Sequence, residues 1–204
     1  MGNCLGSQAS PSSDKPTVLI IGAGFGGLGC ARQFVKNDAT KDFNIILVEK
    51  SEHFTIGGMW QFVWNSRLTL KETKFPLKKA ILPGIDLRTK TTVSKWLPQE
   101  KKVVLSNKKE IVYEHIVLSP GVVADPKDVP GIENHVNICS IDHAARQKKD
   151  LEDLVAKAKT DKVTFCLTIS VNPYKCPPAP FELVLLADEY FRKAGVRDNV
   201  RVGR

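Results

Sequence analysis

The apolar and polar positions of this chain predict alternating strands and helices from residue 17 onward. Residues 17–21 and 44–48 are short apolar runs of the kind that forms strands buried in a parallel sheet. Residues 28–35, which lie between them, carry apolar side chains at helical spacing. The pattern therefore predicts a strand–helix–strand unit at the start of the folded part.

The same alternation continues toward the end of the chain. Residues 102–105 and 110–113 are short apolar runs on either side of a polar, turn-rich segment, which predicts a β-hairpin. Residues 163–169 predict a further strand. A helix is predicted through residues 183–194, and it ends at Gly195, a residue that suits the end of a helix.

The composition of the chain excludes several classes of protein. The 204 residues are 42% hydrophobic and 25% charged, which is an ordinary globular composition. No run of about 18 apolar residues is present, so no transmembrane helix is predicted. The net charge of +8 includes scattered lysine pairs without interleaved aromatic residues, so no nucleic-acid partner is predicted. Five cysteines without CxxC spacing predict neither a disulfide scaffold nor a metal site.

The first 16 residues have almost nothing to bury and predict a disordered tail. Gly2 follows the initiator Met and Cys4 lies two positions later, an arrangement similar to dual-acylation signals with myristate on Gly2 and palmitate on Cys4. Gly6 stands where such signals usually carry Ser or Thr, and Ser7 follows one position late. Two acyl chains would hold the protein at a membrane surface. The alternative interpretation is a flexible leader.

A glycine-rich loop follows the first predicted strand directly. It reads Gly-Ala-Gly-Phe-Gly-Gly over residues 22–27, and a helical pattern follows it. In a dinucleotide-binding loop of this spacing, Gly22 would make the tight turn and Gly24 would let the backbone approach a diphosphate. Gly27 and the small Ala31 would let the helix pack close to the strand. The helix N-terminus would then present free N–H groups to the phosphates.

An acidic residue stands where a ribose-binding carboxylate is expected. Glu49 directly follows the second predicted strand and lies 22 positions after Gly27. A carboxylate accepts hydrogen bonds from ribose hydroxyls and repels a 2′-phosphate, so the loop is predicted to bind FAD or NAD rather than NADP. The alternative is a glycine-rich turn without a ligand. A kinase glycine loop is excluded because no HRD or DFG motif follows.

Aromatic residues concentrate in residues 53–64, around Gly57 and Gly58. The functional interpretation is a wall beside a bound flat ring. The favoured interpretation is hydrophobic core. His53 has no predicted carboxylate or metal partner, so no catalytic role is predicted for it.

The glycine loop, Glu49 and the predicted strand of residues 113–121 together resemble the FAD half of the pyridine nucleotide-disulfide oxidoreductase superfamily. That strand ends in Ser-Pro-Gly, a variant that looks most like flavocytochrome c sulfide dehydrogenase and the sulfide:quinone oxidoreductases. The resemblance implies FAD and an α/β fold, in which an incomplete Rossmann-like FAD-binding domain with a β-hairpin insertion precedes the start of a second α/β domain. The predicted cofactor-binding residues are Gly22, Gly24, Phe25, Gly26, Gly27, Glu49, Lys50, Val93, Ser119 and Gly121.

The resemblance also extends to the second predicted domain. Ordinary members of the superfamily carry a second glycine loop, for NADH, after the strand that corresponds to residues 163–169. This chain has no such loop, and the element Lys-Cys-Pro-Pro of residues 175–178 takes its place, as in the sulfide-oxidising branch. This likeness implies the absence of an NADH site and identifies Cys176 as one of two redox-active cysteines beside the flavin. It also implies sulfide or a small thiol as substrate and quinone as acceptor.

The surroundings of Cys176 independently favour a reactive thiol. The prolines after it suit the first turn of a helix, so Cys176 is predicted at or just before a helix N-terminus, next to Lys175. Both features favour the thiolate, which is the nucleophilic form. Cys30, on the first helix, and Cys166, in a strand, are interpreted as small core residues. Cys139 is left unassigned.

These observations predict a tail over residues 1–16, an FAD-binding domain over 17–125, and a linker with the start of a second domain over 126–204. The superfamily's return strand ends in Gly-Asp, a dipeptide that this sequence lacks. Two domains of about 150 residues each would need roughly 300 residues. We therefore expect the chain to be the N-terminal part of a longer protein or a truncated product.

Three functions remain open from the sequence. The first is an FAD-dependent oxidoreductase of the sulfide:quinone type, and the second is a catalytically incomplete, lipid-anchored FAD-binding remnant. The third is an NADH dehydrogenase-like flavoprotein, which the missing second glycine loop disfavours. The expected location is a membrane surface, reached through the acylated N-terminus, or the cytoplasm, and the resemblance adds the mitochondrial membrane.

Overall fold

The computed structural model describes residues 14–123, 129–135, 137, 140–170, 172, 174 and 176–203. The chain divides into two compact units. The first comprises Met1–Thr55 and Lys74–Val123, and the second comprises Ile56–Thr73 and Ala124–Arg204. The first unit is therefore interrupted in sequence by Ile56–Thr73, which a linear division near residue 125 does not anticipate.

Strands and helices alternate along the described chain. The strands are β1 (Thr17–Ile21), β2 (Asn44–Val48), β3 (His53–Thr55), β4 (Lys74–Pro76), β5 (Ile85–Arg88), β6 (Val93–Leu97), β7 (Lys102–Leu105), β8 (Glu110–Val112), β9 (His115–Leu118), β10 (Val163–Cys166) and β11 (Val200–Gly203). The helices are α1 (Phe25–Lys36), α2 (Trp60–Trp64), α3 (Leu77–Ala80), α4 (Ile141–Ala158) and α5 (Ala179–Lys193).

A parallel sheet forms the centre of the first unit. Its strand order is β5-β2-β1-β9, and every pairing is parallel. The strands β1 and β2 have the bounds that the apolar runs predict, and α1 connects them as the crossover helix. This α/β, Rossmann-like architecture confirms the predicted fold class. The carboxyl ends of β1, β2 and β9 meet at one edge of the sheet, where ligands bind in folds of this type.

The two faces of this sheet bury separate sets of side chains, because successive residues of a strand point to opposite faces. One face belongs to a core that contains Val18, Ile20, Ala23, Ala31, Ile45, Leu47, Leu77, Ile85 and Leu87. The other face belongs to a core that contains Leu19, Ile46, Val48, Val103, Leu105, Ile111 and Tyr113. Burial of each large side chain contributes about 1.5–3 kcal/mol. The sheet is thus covered on both sides, which explains the continuous apolar runs in its strands.

The predicted β-hairpin is confirmed and gains a third strand. The strands β7 and β8 pair in antiparallel fashion, and β6 pairs with the other side of β7. The indole Nε1 of Trp96 donates a hydrogen bond of 2.7 Å to the Tyr113 hydroxyl. A second short antiparallel pair, β3 with β4, aligns Phe54 with Phe75. The sequence did not predict this pair, because three-residue strands show no periodicity.

The second unit contains a parallel strand–helix–strand element. The strands β10 and β11 are parallel neighbours, and α5 connects them. Its core contains Trp64, Leu151, Ala158, Val163, Leu183, Ala187, Phe191, Val196 and Val200. The ring of Trp64 stacks on Phe165 at a centroid distance of 6.3 Å. The aromatic segment of residues 53–64 is therefore divided between the two units. Trp64 lies in the core of the second unit, whereas Phe54 packs against a core of the first.

The helix α5 ends where the sequence predicts. Gly195 follows its last turn with φ +68°, and its N–H donates to Arg192 O at 3.0 Å. The N–H of Val196 donates to Phe191 O at 3.1 Å. This pair of hydrogen bonds is a Schellman motif, in which glycine is preferred because it adopts positive φ without strain. In the described part of the chain, no helix is both long enough and apolar enough to cross a bilayer.

Candidate functional site

The glycine loop lies at the carboxyl edge of the central sheet, between β1 and α1. Gly22 makes the turn with φ +95°, and its N–H donates to Val48 O at 2.8 Å. A Cβ at this position would lie only 2.1 Å from the Ser119 carbonyl oxygen. Ser119 is fixed in turn because its N–H donates to Ile21 O at 2.8 Å. The ends of β1, β2 and β9 therefore meet at Gly22.

The start of α1 packs tightly on this turn. A Cβ on Gly27 would lie 1.7 Å from the Gly22 carbonyl oxygen. A Cβ on Gly26 would lie 2.6 Å from the Ser119 hydroxyl oxygen. Ala31, one turn further along the helix, is buried. The small residues are thus required by close packing of helix, turn and strand end, which was the role predicted for Gly27 and Ala31.

Gly24 faces open space, unlike the other glycines of the loop discussed above. No atom lies within 4 Å of a Cβ built on it. It is the N-cap of α1, it supplies no side-chain cap, and the first turn of α1 contains no acidic residue. Helix N-termini leave N–H groups without intrahelical partners and carry a partial positive charge. This end of α1 is therefore suited to an anionic group that approaches the backbone closely.

Glu49 lies beside the same loop, at the end of β2. One carboxylate oxygen, Oε2, accepts a hydrogen bond of 2.8 Å from the Ala23 N–H. The other, Oε1, accepts one of 2.9 Å from the Ser51 N–H. An ionised carboxylate can accept about four hydrogen bonds. Its unused acceptor capacity is available to sugar hydroxyls.

The remaining predicted cofactor residues of the first unit have less uniform surroundings. Phe25 is 73% exposed, and its ring contacts Phe54 edge-on at 4.9 Å. Lys50 is exposed. Val93 is partly buried against the core that contains Leu19 and Val103. Gly121 has φ +75° with open space around it.

These arrangements fit the adenosine diphosphate part of FAD. The loop leaves a glycine-lined approach to the α1 N-terminus for a diphosphate. Glu49 is the only one of the predicted residues that supplies carboxylate oxygens for a ribose. Sequence reasoning missed the amides of Ala23 and Ser51 as partners of Glu49. The local spacing of Glu49 and Ser51 carries a weak signal for this contact, whereas the approach of Ala23 depends on the tertiary fold.

Cys176 lies in the second unit, just before α5. Its side chain is exposed, and its carbonyl oxygen accepts a hydrogen bond of 3.1 Å from the Ala179 N–H. The Tyr174 hydroxyl donates to Pro177 O at 3.3 Å. The predicted position before a helix is therefore found in the structure. Lys175, the predicted basic neighbour, lies outside the described residues.

The start of α5 supports a thiolate less strongly than its position alone indicates. Pro177, Pro178 and Pro180 have no N–H groups to offer. The first turn also contains Glu182. Its negative charge offsets the partial positive charge of the helix N-terminus, so less of that charge remains to stabilise a thiolate. The exposed side chain of Glu182 accepts a hydrogen bond of 3.1 Å from Gln61 Nε2. Accessibility is thus the main feature that the structure gives to the Cys176 thiol.

The other cysteines differ from one another. Cys30 is partly buried in the core beside α1, and burial raises the pKa of its thiol, which agrees with a core role. Cys166 is exposed at the end of β10, so the interpretation of Cys166 as a core residue is wrong. Its position as the last residue of a short strand explains the exposure. Cys139, Cys4 and the predicted acylation site Gly2 lie outside the described residues.

Comparison with known proteins identifies a family over most of the chain. The model of the family described as pyridine nucleotide-disulphide oxidoreductase matches residues 16–163. The chain is 28% identical to the mitochondrial sulfide:quinone oxidoreductase of Dictyostelium discoideum over 91% of its own length and 41% of that protein. It therefore spans about two fifths of the curated relative's length.

Two solved structures have a similar fold. The sulfide:quinone oxidoreductase of Aquifex aeolicus matches with a TM-score of 0.69 at 23% identity, over 91% of this chain and 42% of that one. NDH2 of Plasmodium falciparum, solved in complex with NADH, matches with a TM-score of 0.68 at 13% identity, over 92% of this chain and 41% of that one. Both likenesses concern the fold alone.

Proposed function

The chain belongs to the pyridine nucleotide-disulphide oxidoreductase family, and from this premise we propose that it is an FAD-dependent oxidoreductase of the sulfide:quinone type. In this proposal Gly22, Gly26 and Gly27 form the loop in which Gly24 lets the backbone approach the diphosphate of FAD. Glu49 holds the ribose of FAD. The FAD-binding part predicted over residues 17–125 then corresponds to the first unit, which excludes Ile56–Thr73, and the start of a second domain predicted over residues 126–204 corresponds to the second unit.

One observation carries the choice of reaction. The connection from β10 to α5, residues 167–178, has no glycine and presents the exposed thiol of Cys176. A second NADH-binding glycine loop is expected at this place in other members of the superfamily. The Dictyostelium discoideum relative, named a sulfide:quinone oxidoreductase, supports the same choice. We therefore assign sulfide or a small thiol as electron donor and quinone as acceptor.

The proposed role of Cys176 is sulfur transfer. Hydrosulfide attacks the Cys176 sulfur of a disulfide with a second cysteine, the S–S bond breaks, and the second cysteine leaves as a thiolate. Cys176 then carries a persulfide. The sulfide sulfur has lost two electrons, and the disulfide has gained them. Bound FAD would supply the two-electron acceptor that lets such a cycle repeat. The exposed position of Cys176 permits attack by a small anion.

The test is a visible spectrum of the purified full chain with added FAD, followed by titration with sulfide. We expect flavin absorbance that bleaches with sulfide in the wild-type chain and in Cys30→Ser, but not in Cys176→Ser. A chain that retains no flavin would favour the catalytically incomplete, lipid-anchored remnant, which binds FAD weakly or not at all. Bleaching by NADH rather than by sulfide would favour the NADH dehydrogenase-like alternative, whose fold neighbour is NDH2.

We also propose peripheral membrane attachment through myristate on Gly2 and palmitate on Cys4, at a mitochondrial or other membrane. The support is the sequence of the tail, together with the mitochondrial location in the name of the Dictyostelium discoideum relative. Mass spectrometry of the N-terminal peptide from cells should find both acyl groups. Gly2→Ala should move the protein to the soluble fraction. Unmodified Gly2 in the native protein would contradict the proposal.

A further inference from the structure

The backbone of Glu49 is held at both its N–H and its carbonyl oxygen. Its N–H donates to Arg88 O at 2.9 Å, and its carbonyl oxygen accepts from the Thr91 N–H at 3.0 Å. The Arg88 guanidinium in turn pairs with Asp86 at 2.8 Å. The backbone of Glu49 is therefore hydrogen-bonded to the end of β5 and to the segment that follows it.

The side chain of Glu49 extends this rigidity to the glycine loop. The Ser51 N–H orients one carboxylate oxygen at 2.9 Å. The other oxygen then accepts from the Ala23 N–H at 2.8 Å. Hydrogen bonds to an ionised carboxylate are stronger than those between neutral groups. One carboxylate thus joins the end of β2 to the residue between Gly22 and Gly24.

Ala23 needs such a partner because the residue is buried, with 2% of its surface exposed. A buried N–H without an acceptor is costly. The neighbouring Gly22 N–H already donates to Val48 O, so the two successive amides are both bound to the end of β2. The loop is therefore held in its turn in the absence of any ligand.

We propose that Glu49 is a positioning residue for the glycine loop in addition to a sugar contact, and that it forms the nucleotide-binding turn before the nucleotide arrives. This inference deepens the proposed function and rests on it, since it takes the loop as a nucleotide site. A residue that only touches ribose would act solely in the bound state. A residue that holds Ala23 also acts in the free protein.

The first test measures amide hydrogen exchange in the nucleotide-free full chain. We expect Glu49→Ala to accelerate exchange at Ala23 by about tenfold or more, since a charge-assisted hydrogen bond is lost. Glu49→Gln should give a smaller effect, because its single oxygen can accept from Ala23 while its NH2 group opposes Ser51. The amides of Leu19 and Ile20 report whether the fold is intact. Unchanged exchange at Ala23, with an intact fold, overturns the proposal.

The second test separates the two roles with a pair of ligands. ADP carries both ribose hydroxyls of the adenosine part, and 2′,3′-dideoxy-ADP carries neither. A sugar contact alone predicts that Glu49→Ala weakens ADP binding and leaves dideoxy-ADP binding unchanged. Our proposal predicts that Glu49→Ala weakens dideoxy-ADP binding as well, by about threefold or more. Equal dideoxy-ADP affinity in the two proteins overturns it.

Glu52→Gln is the matched control. Glu52 lies three positions after Glu49, carries the same charge, and pairs with Lys90 at 2.9 Å instead of the loop. This variant should change neither Ala23 exchange nor the binding of either ligand. If the wild-type chain binds neither ADP nor dideoxy-ADP, the nucleotide function fails, while the exchange measurement still decides whether Glu49 holds the loop.

Discussion

Two strand-to-helix connections of this chain share a topology and differ in chemistry. In the first unit, β1 passes to α1 through Gly22, Ala23 and Gly24. In the second, β10 passes to α5 through the much longer segment 167–178, which contains no glycine. Both connections carry the chain from the carboxyl end of a parallel strand to a helix N-terminus. The fold therefore supplies the position, and the residues of the connection decide which ligand can use it.

The two helix N-termini show this difference directly. The first turn of α1 has no acidic residue, and its N-cap is Gly24, which faces open space, so the amides at this helix start are accessible to an anion. The start of α5 has prolines without N–H groups, and Glu182 adds negative charge. A phosphate fits the first helix and is disfavoured at the second. The second connection instead presents a thiol. In the proposed function, this contrast assigns nucleotide binding to the first connection and sulfur chemistry to the second.

The largest expected effect on stability comes from adding a methyl group at Gly27, where α1 packs on the glycine loop. Gly27→Ala places a methyl group 1.7 Å from the Gly22 carbonyl oxygen, which is backbone and cannot rotate away. We expect a loss of about 3 kcal/mol or more in the free energy of unfolding of the first unit, because overpacking here forces the helix from the sheet. Urea denaturation followed by circular dichroism measures it.

Gly24→Ala is the matched variant in the same loop. Its methyl group meets no atom within 4 Å, and the φ of −77° at Gly24 suits alanine. The free energy of unfolding should change by less than about 0.5 kcal/mol, while the affinity for ADP falls. Equal destabilisation by the two variants would contradict the close packing that distinguishes Gly27 from Gly24.

The second connection is tested by thiol reactivity. Cys176 is exposed, whereas burial raises the pKa of the Cys30 thiol and lowers its thiolate fraction at neutral pH. Iodoacetamide at pH 7.5 should therefore alkylate Cys176 at least about tenfold faster than Cys30. Peptide mass spectrometry measures both rates in one sample. Cys176→Ser should leave the slow rate of Cys30 unchanged, and similar rates in the wild-type chain would remove the distinction between the two cysteines.

A smaller effect is expected at the far end of α5. Gly195→Ala forces alanine into φ +68°, which costs about 1–2 kcal/mol for a residue with a Cβ. Chemical denaturation of the second unit measures this loss. Gly131→Ala, at φ +83° outside α5, should leave the exchange of the Val196 amide unchanged, whereas Gly195→Ala should accelerate it. Wild-type exchange at Val196 in Gly195→Ala would show that the Schellman motif does not anchor the helix.

The smallest expected effect is electrostatic. Hydrogen bonds from Arg192 and Arg197 lower the pKa of the Asp188 carboxyl in the folded chain. A lowered folded pKa stabilises the fold at pH values above the unfolded pKa, which is about 3.9, and this stabilisation is lost as the pH falls through the lower pKa of the folded chain. Asp188→Asn should therefore lower the melting temperature at pH 7 and have a smaller effect at pH 3. Asp153→Asn, in an exposed pair with Lys149, should have a smaller effect at pH 7.

The sequence was sufficient for the first connection. The apolar runs of β1 and β2, the glycine spacing and the acid after β2 all lie within about 35 residues, so local pattern predicts their arrangement. Gly195 likewise marks the end of α5, because helix ends depend on nearby residues. Features that depend only on nearby residues can therefore be predicted from the sequence.

Other features depend on contacts between distant residues. The pairing of β3 with β4 joins three-residue segments that are separated by α2, and such short strands carry no alternation to detect. The exposure of Cys166 depends on where the small sheet of the second unit ends, which its apolar strand pattern conceals. The bond from the Ala23 N–H to Glu49 depends on the register of β1 against β2.

The two contacts of Ser119 with the loop have different evolutionary consequences. A side chain at position 22 would meet the Ser119 carbonyl, which every amino acid possesses, so no exchange at position 119 could compensate for it. A side chain at position 26 would clash with the Ser119 hydroxyl oxygen at 2.6 Å, whereas the Ser119 Cβ lies at an ordinary contact distance of 3.6 Å. Among homologous chains, position 22 should remain invariant. Alanine at position 26 should instead co-vary with glycine or alanine at position 119.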